Sequence, residues 1–264
     1  MNIKLISMDL DGTLIEKDNH ISDRNKEALE AARQKGIPVT ISTGRMFRSA
    51  QKVAQQLALD VPIITYNGAY IKTSASGQVL LNQTLDKAIA QDIIIRAQEE
   101  DLTPQAFTND TLLVAYINRR VADYALSAGV PAKAVGDLPA FINADVNKVL
   151  LIGEADHLTE FWHKSGERYG HKVNIVKSKP HYLDFINPKA NKGQGLAFLA
   201  HIMKIKKEQI MAIGDSYNDI GLFEAAGLKI AMGNAVAQLK EKADYITSDC
   251  AQDGLAAAIE KFVL

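Results

Sequence analysis

Short apolar runs alternate with amphipathic stretches over the first part of the chain. The apolar runs at residues 3–8, 37–42 and 61–69 have the length of buried strands. Between the first two, apolar residues recur at helical spacing, with Ser22 as the N-cap and Gly36 as the stop signal, and a second helical pattern precedes the third run. Strand, helix, strand, helix, strand is typical of a parallel sheet covered on both faces.

This alternation stops after residue 69 and returns after Pro188. Residues 70–83 read as a hairpin around a Ser-Gly turn. Helical patterns then lie at 86–100, 119–128 and 156–169, and strand-like runs lie at 103–107, 111–116, 148–152, 172–176 and 182–186. After Pro188 the predicted elements, alternately helix and strand, are 192–203, 210–214, 217–226, 228–232, 236–242, 245–246 and 254–262.

From these patterns we predict an α/β protein with a Rossmann-like parallel-sheet core, formed by residues 1–85 and 188–264. Residues 86–187 are predicted to form an inserted α+β domain. An insertion of this kind makes sense as a cap that covers a small substrate.

The composition limits which binding partners and which cellular compartment are expected for this protein. The 264 residues carry a net charge of -1, which leaves no basic surplus for nucleic acid or an anionic membrane. No apolar run approaches the roughly 18 residues that span a bilayer, and the first residues lack a signal-peptide pattern. With one cysteine, Cys250, no disulfide can form within the chain, which suits a reducing compartment. We expect a cytoplasmic monomer or homodimer without a nucleic-acid or membrane partner.

Two aspartates stand at the end of the first predicted strand, in the segment MDLDGT. Alternate strand residues share a face, so Asp9 and Asp11 point the same way, with Cα atoms about 6.6 Å apart. In open α/β sheets this edge binds ligands. The carboxylates repel unless one is protonated or a hard cation such as Mg²⁺ lies between them. They equally fit ordinary loop carboxylates that cap a strand end.

A second acidic cluster, GDSYND, also follows an apolar strand and a glycine. If its strand neighbours the first one, Asp215 lies at the same edge as Asp9 and completes an oxygen cage for the ion. Asp219, one helical turn later, either steadies the ion or orients a nearby lysine. The alternative is a helix N-terminus whose acids interact favourably with the helix dipole.

Two further segments fit an anion. In STGR, Thr43 and the backbone amides of Gly44 and Arg45 stand where a strand gives way to a helix, which suits phosphate. Lys192, in NKGQG, opens a helix, where its charge can cancel that of a transferring phosphoryl group. It equally fits a solvated surface lysine. The segment NKGQG lacks the residue order of a Walker loop.

Together the four segments resemble the motifs of the haloacid dehalogenase superfamily of phosphatases. DLDGT resembles its first motif, STGR its second, NKG its third and GDSYND its fourth. The segment YNGA at residues 66–69 and the mid-chain insertion resemble the Cof-type subfamily, whose cap lies between the second and third motifs. The resemblance covers the whole core, whereas the cap matches mainly in size and position.

This resemblance implies a role for each matching residue. Asp9 attacks phosphorus to form an aspartyl-phosphate, and Asp11 acts as general acid and base. Mg²⁺ is held by the carboxylates of Asp9 and Asp215 and by the backbone carbonyl of Asp11, and Asp219 supports the ion. Phosphate and substrate are bound by Thr43, Gly44, Arg45, Asn67, Lys192 and Asn218. Arg45 equally fits an ion pair with a core carboxylate.

The cap residues that choose the leaving group are harder to assign. The segment from His181 to Asp184 precedes the return to the core and is a candidate for the cleft, although His181 also fits a plain polar loop residue. Trp162 is expected on the buried face of a cap helix, together with Phe161 and Tyr169.

The implied function is hydrolysis of small phosphorylated metabolites, with sugar phosphates as the first candidates and phosphorylated cofactors as the next. A phosphosugar mutase is the alternative among enzymes, because it shares the first motif and a related cap. In a different class, a phospho-acceptor signalling module also gathers acids and a lysine on an α/β sheet. The length of the chain and its inserted domain argue against such a module.

Overall fold

The computed structural model describes residues 2–15, 20–59 and 61–264. Its strands, in chain order, are β1 (Leu5–Met8), β2 (Val39–Ile41), β3 (Pro62–Thr65), β4 (Tyr70–Thr73), β5 (Val79–Asn82), β6 (Thr103–Thr108), β7 (Thr111–Val114), β8 (Ala132–Ala134), β9 (Lys148–Ile152), β10 (Asn174–Lys179), β11 (Tyr182–Ile186), β12 (Ile210–Gly214), β13 (Leu228–Ala231) and β14 (Tyr245–Ile246).

Ten α-helices are described within those ranges: α1 (Asp23–Gln34), α2 (Phe47–Gln56), α3 (Lys87–Glu99), α4 (Arg119–Ala128), α5 (Leu138–Phe141), α6 (Ala155–Tyr169), α7 (Lys192–Ile202), α8 (Ile220–Glu224), α9 (Ala237–Lys240) and α10 (Gly254–Phe262). As predicted, the Ser22 hydroxyl caps α1 by accepting a hydrogen bond from the amide of Asn25. Within the described part of the chain, no helix has both the length and the apolar character needed to cross a membrane.

Five strands form a parallel sheet in the order β14-β13-β12-β1-β2. Every residue of the central strands β1 and β12 is buried. Strands with both faces covered read as continuous apolar runs, which is how they stand out in the sequence. The parallel-sheet core of the predicted α/β fold is therefore confirmed.

Strand β3 departs from the simple alternation. It meets the parallel sheet through one parallel bridge between Ser42 and Ile64, and it then pairs antiparallel with β4. Strand β4 pairs in turn with β5, so the predicted hairpin is present. The third strand of the pattern thus starts a separate three-stranded sheet at the margin of the core.

The middle of the chain builds a six-stranded sheet in the order β10-β11-β9-β6-β7-β8. This sheet has its own buried apolar cluster, to which α3 and α6 contribute. The helices and strands predicted here are present. Strand β8 and helix α5 were not predicted, because three and four residues are too few to display a period. The cap limits at residues 86 and 187 stay a prediction.

One prediction for helix α6 is wrong. Phe161 and Tyr169 are buried, as expected, but 37% of Trp162 is exposed. Successive helical residues differ by about 100°, so the neighbour of a core-facing residue lies at the flank of the buried stripe. The Trp162 ring stacks on His163 there, with ring centroids 6.0 Å apart.

Candidate active site

The carboxyl ends of three neighbouring strands bring the predicted site residues together. Residue Met8 of β1 pairs with Ile213 of β12 on one side and with Ile41 of β2 on the other. Asp9 and Asp215 therefore follow their strands at the same edge of the sheet. This edge is where open α/β sheets bind ligands.

Lys192 lies between two buried carboxylates. Its Nζ is 2.9 Å from Asp9 Oδ1 and 2.6 Å from Asp219 Oδ1, and only 1% of the residue is exposed. Burial lowers the pKa of Lys192, but the charges of Asp219 and Asp9 outweigh burial and raise it above its ordinary value. The ammonium group is therefore charged, and the surface-lysine alternative is wrong.

The Asp219 carboxylate is fixed by hydrogen bonds to both of its oxygens. Its Oδ2 accepts hydrogen bonds from the backbone amides of Asp215, at 3.0 Å, and Ser216, at 2.9 Å. Its Oδ1 accepts from Lys192. Both oxygens of this fully buried side chain have partners. Of the two roles left open for Asp219, the geometry therefore favours orientation of Lys192.

Replacing Lys192 with methionine is expected to lower the free energy of unfolding by about 3–5 kcal/mol, because two buried carboxylates lose their counter-charge. Turnover is expected to fall at least about 100-fold, as for loss of a group that stabilises developing charge. Thermal unfolding and steady-state rates measure both effects. Lys189→Met, at an exposed position three residues earlier, is the matched control and should resemble the unchanged protein. Ordinary stability and activity of Lys192→Met would contradict the assignment.

Asp9, Asp215 and Asp219 form a group that can hold a cation. One carboxylate oxygen from each lies within 4.8 Å of the others. Burial, and then the charges of Asp219, Asp215 and Asp11, raise the pKa of Asp9 well above its ordinary value although Lys192 lowers it. Burial likewise raises the pKa of Asp215 to about 7. Buried acids that resist ionisation fit a hard divalent cation, which favours their charged forms.

Two neighbours of Asp215 come from the DLDGT segment. The Thr13 hydroxyl donates to Asp215 Oδ1 at 2.9 Å, a contact that the sequence analysis missed. Gly12 has φ of +86°, and a Cβ there would collide with the Asp215 carboxylate. A side chain at residue 12 is therefore excluded by both backbone conformation and space.

Arg45 pairs with Asp11, which is one of the two roles left open for it. Its Nε is 2.8 Å from Asp11 Oδ2, and its Nη2 is 2.9 Å from Oδ1. Lys179 adds a weaker contact, with Nζ 3.6 Å from Asp11 Oδ1. Burial would raise the pKa of Asp11, but the hydrogen bonds and charge of Arg45 lower it to about 2. The two paired acids of the first motif thus have opposite pKa shifts.

The STGR loop lies at the end of β2. Thr43 is buried, and its Oγ1 accepts from the backbone amide of Arg45 at 3.2 Å. That amide is directed into the loop in this structure. The expectation that Thr43 and the two following amides bind phosphate stays a prediction.

A cavity of about 310 Å³ lies between this edge of the parallel sheet and the mid-chain sheet. Its lining includes Asp9, Thr43 and Asp215 from the core and Tyr124, Lys148 and Asp184 from the mid-chain segment. The residues that could react therefore face a space of the size of a small metabolite.

A wider and more apolar recess of about 900 Å³ shares part of its lining with this cavity: Ser178, Lys179, Ser216 and Asn218. Two predicted site residues, Asn67 and Lys192, line this recess and not the smaller cavity. The exposed rings of Trp162 and Tyr217 also line the recess, but neither of the paired acids of the first motif does. We therefore assign the chemistry to the smaller cavity, where the acids converge.

Comparison with known proteins identifies the architecture. A sequence model of haloacid dehalogenase-like hydrolases matches residues 6–259. The chain belongs to this family. Phosphatase YwpJ of Bacillus subtilis is 31% identical, over 96% of this chain and 98% of the relative. The 5-amino-6-(5-phospho-D-ribitylamino)uracil phosphatase YwtE of the same organism is also 31% identical, over 99% and 98%. A solved haloacid dehalogenase-like hydrolase from Bacteroides thetaiotaomicron gives a TM-score of 0.90 at 29% identity, covering 98% of this chain and 99% of that chain.

The predicted Cof-type haloacid dehalogenase phosphatase is thereby confirmed as the class of this enzyme. Most of its predicted site residues line the smaller cavity: Asp9, Asp11, Thr43, Gly44, Arg45, Asp215 and Asn218. Lys192 and Asp219 are buried beside Asp9. Tyr182 and Asp184 line the cavity, as the sequence allowed, whereas the His181 Nδ1 lies 3.1 Å from the Gly153 carbonyl oxygen.

Asn67 of this hydrolase sits in an unusual turn. It follows Tyr66, and both residues have positive φ, 54° and 51°. Its Oδ1 accepts from Asn218 Nδ2 at 2.9 Å, and its Nδ2 lies 3.4 Å from Asp184 Oδ2. Left-handed conformations of two residues that are not glycine are costly and collect at functional sites. The turn links the fourth motif to the mid-chain sheet.

The hydrolase also has a charge pair that the sequence analysis missed in part. Lys148 Nζ is 2.9 Å from Asp184 Oδ1, and it donates to the carbonyl oxygen of Gly44 at 3.0 Å. The two charged side chains are 3% and 2% exposed. Each of the apolar strands KVLLI and YLDFI carries a single charged residue, and this is the sequence signal for the pair. Asp184 was a candidate for the cleft from its sequence, whereas Lys148 was not.

Proposed function

We propose that this enzyme is a Mg²⁺-dependent phosphatase that hydrolyses small phosphorylated metabolites, sugar phosphates first, through an aspartyl-phosphate intermediate on Asp9. The observation that carries the proposal is the position of the Asp9 carboxylate. It faces a small cavity at the ligand-binding edge of the sheet, beside a buried, charged Lys192 and a second acid, Asp215.

In the first step, an Asp9 carboxylate oxygen attacks phosphorus while the bond between phosphorus and the leaving-group oxygen breaks. Asp11 gives a proton to that oxygen. In the second step Asp11 takes a proton from the water that attacks phosphorus, the bond between phosphorus and the Asp9 oxygen breaks, and inorganic phosphate leaves. The low pKa of Asp11 suits the second role. The first role requires the Arg45 pair to loosen, and an incoming phosphate competes for that guanidinium.

The oxygen donors of Asp9 and Asp215 fit Mg²⁺, and the backbone carbonyl of Asp11 is the third ligand that the family resemblance implies. Bound Mg²⁺ would neutralise charge between the anionic nucleophile and the anionic phosphate. We assign Asp219 to the orientation of Lys192, since its two oxygens accept the hydrogen bonds described above.

Phosphate oxygens are assigned to Thr43, Gly44, Lys192 and Asn218. Arg45 and Asn67 are assigned to the rim of the phosphate site, where each already contacts another site residue. We propose residues 86–187 as the cap over this site and residues 1–85 and 188–264 as the core. The single cysteine supports a cytoplasmic location.

The relative YwtE is named for a substrate whose phosphate sits on a ribityl chain, which is a polyol. Sugar phosphates and ribityl phosphates share a hydroxyl-rich leaving group. The cavity of about 310 Å³ is compatible with either. We therefore include both in the proposed range.

Phosphate release from about a hundred phosphorylated metabolites, with and without Mg²⁺, tests the proposal. Sugar phosphates are expected among the best substrates, and EDTA is expected to abolish release. Glucose 1-phosphate should give inorganic phosphate without the 6-phosphate, since appearance of the 6-phosphate indicates a mutase. An aspartyl-phosphate that persists for minutes would instead indicate a phospho-acceptor module.

A further inference from the structure

The Lys148–Asp184 pair lies on two paired strands and points into the cavity. In the antiparallel pairing of β9 and β11, Asp184 is opposite Leu150, two residues from Lys148. Side chains two apart on a strand share a face, so Lys148 and Asp184 are diagonal neighbours on one face. All three of these side chains line the cavity that contains Asp9.

Fold stability alone does not explain a charged pair at this position. Both strands are otherwise apolar and largely buried. Replacing a buried ion pair with apolar side chains of similar volume is often neutral or stabilising, because desolvation offsets the attraction. The pair therefore calls for an explanation beyond fold stability, and both of its members line the cavity.

The pair and the neighbouring Asn218 place polar side chains in the lining of the cavity. Asp184 Oδ1 pairs with Lys148 Nζ at 2.9 Å, and Asp184 Oδ2 lies 3.4 Å from Asn67 Nδ2. Asn218 Oδ1, which belongs to another cavity-lining residue, is a buried acceptor without a hydrogen-bond partner in the described structure. A buried acceptor without a donor is costly, so a donor from the ligand would stabilise it.

The opposite charges of Lys148 and Asp184 limit which ligand group can bind beside them. An anionic group is repelled by Asp184, so the phosphate belongs at the core side of the cavity, beside Asp9 and Thr43. A cationic group is repelled by Lys148. A hydroxyl group satisfies both residues, since it donates to a carboxylate and accepts from an ammonium.

We propose that Lys148 and Asp184 recognise hydroxyl groups of the leaving group and thereby select sugar and polyol phosphates. The inference rests on the proposed phosphatase function and names the residues that define its substrate class. Lys148 also contacts the Gly44 carbonyl, so the recognition element is tied directly to the STGR loop of the phosphate site.

Asp184→Asn keeps the shape of the side chain and removes its charge. We expect kcat/KM for the best sugar phosphate of the screen to fall about 10- to 100-fold, the range for a hydrogen bond to a charged group. Turnover of p-nitrophenyl phosphate, whose leaving group has no other hydroxyl, should change less than about threefold. A substrate analogue that lacks the recognised hydroxyl should lower kcat/KM of the unchanged enzyme by the same factor. The same analogue should change kcat/KM of the Asp184→Asn variant little.

Two further proteins control for structural damage. Lys148→Met with Asp184→Leu replaces the pair by apolar side chains and should fold and lose the preference for sugar phosphates over p-nitrophenyl phosphate. Asp110→Asn breaks another ion pair, between Lys72 and Asp110 at 2.9 Å, whose members are outside the cavity lining, and should leave both substrates unaffected. Equal losses for both substrates in Asp184→Asn would overturn the proposal, as would no loss.

A binding measurement separates this inference from the proposed function. Calorimetry of the screened sugar phosphates with the Asp9→Asn protein, with and without Asp184→Asn, needs no turnover. At least one should bind about tenfold more weakly when Asp184 is replaced. If the unchanged enzyme releases no phosphate but this difference appears, the proposed function fails and the recognition stands. Equal affinity, or no binding to the Asp9→Asn protein, overturns the recognition.

Discussion

Replacing Asp9 with asparagine is expected to lower phosphate release about 10⁴-fold or more while the protein becomes no less stable. The amide of asparagine is a poor nucleophile, and loss of a nucleophile removes most of the rate enhancement of an enzyme that uses one. Asp9 has a raised pKa, mainly because it is buried and then because three other acids are near. A neutral side chain of the same shape relieves that repulsion.

The measurement pairs a steady-state rate with a thermal unfolding curve, both without added metal and with Mg²⁺. Mass spectrometry of acid-quenched enzyme should find the phosphoryl group on Asp9 in the unchanged protein and nowhere in the variant. Asp156→Asn is the matched control, because Asp156 is an exposed aspartate at the start of α6. A variant at residue 9 that keeps more than about a tenth of the activity excludes Asp9 as the nucleophile.

The convergence of the four motifs could be predicted because it depends on one general rule. Parallel strands end at a common edge, so Asp9 and Asp215 meet if β1 and β12 are neighbours. The apolar runs that identify those strands are local features of the sequence. The rule does not predict side-chain rotamers, so two roles were open for Asp219. The hydrogen bonds of Asp219 favour the orientation of Lys192.

The charge pair of the mid-chain sheet could not be predicted in the same way. Lys148 and Gly44 are 104 positions apart, and they meet only because the mid-chain sheet packs over the STGR loop. No periodic pattern records the orientation of one sheet over another. A charge within an apolar strand marks an unusual site, but it does not name its partner.

Arg45 illustrates a choice that sequence cannot make. Arginine at this position can reach a substrate phosphate or the Asp11 carboxylate, and both contacts use the same guanidinium fork. In this structure it forms the two-point pair with Asp11. Whether a contact forms in the free enzyme depends on the relative positions of two loops to within about an ångström.

Removal of the metal is the second change with a large expected effect, a lower melting temperature. The raised pKa of Asp215 makes this effect depend on pH. The folded-state pKa of about 7 lies above the ordinary 3.8, so this carboxyl stabilises the metal-free fold below about pH 4. That contribution is lost progressively as the pH rises from about 4 to about 7, because over this range the unfolded chain has released the proton while the folded chain still holds it. Without metal, the melting temperature should therefore fall between about pH 4 and pH 7 and level off above that range.

Mg²⁺ binds the ionised carboxylates, and binding to the folded state alone raises stability by mass action. We expect a few millimolar Mg²⁺ to raise the melting temperature by about 5 °C or more near pH 8 and by much less near pH 5, where protons compete. Sodium chloride at matched ionic strength controls for screening, and Asp215→Asn should abolish the Mg²⁺ effect at both pH values. An equal Mg²⁺ shift at both pH values would mean that the ion binds elsewhere, because a cation held by Asp9 and Asp215 must displace their protons.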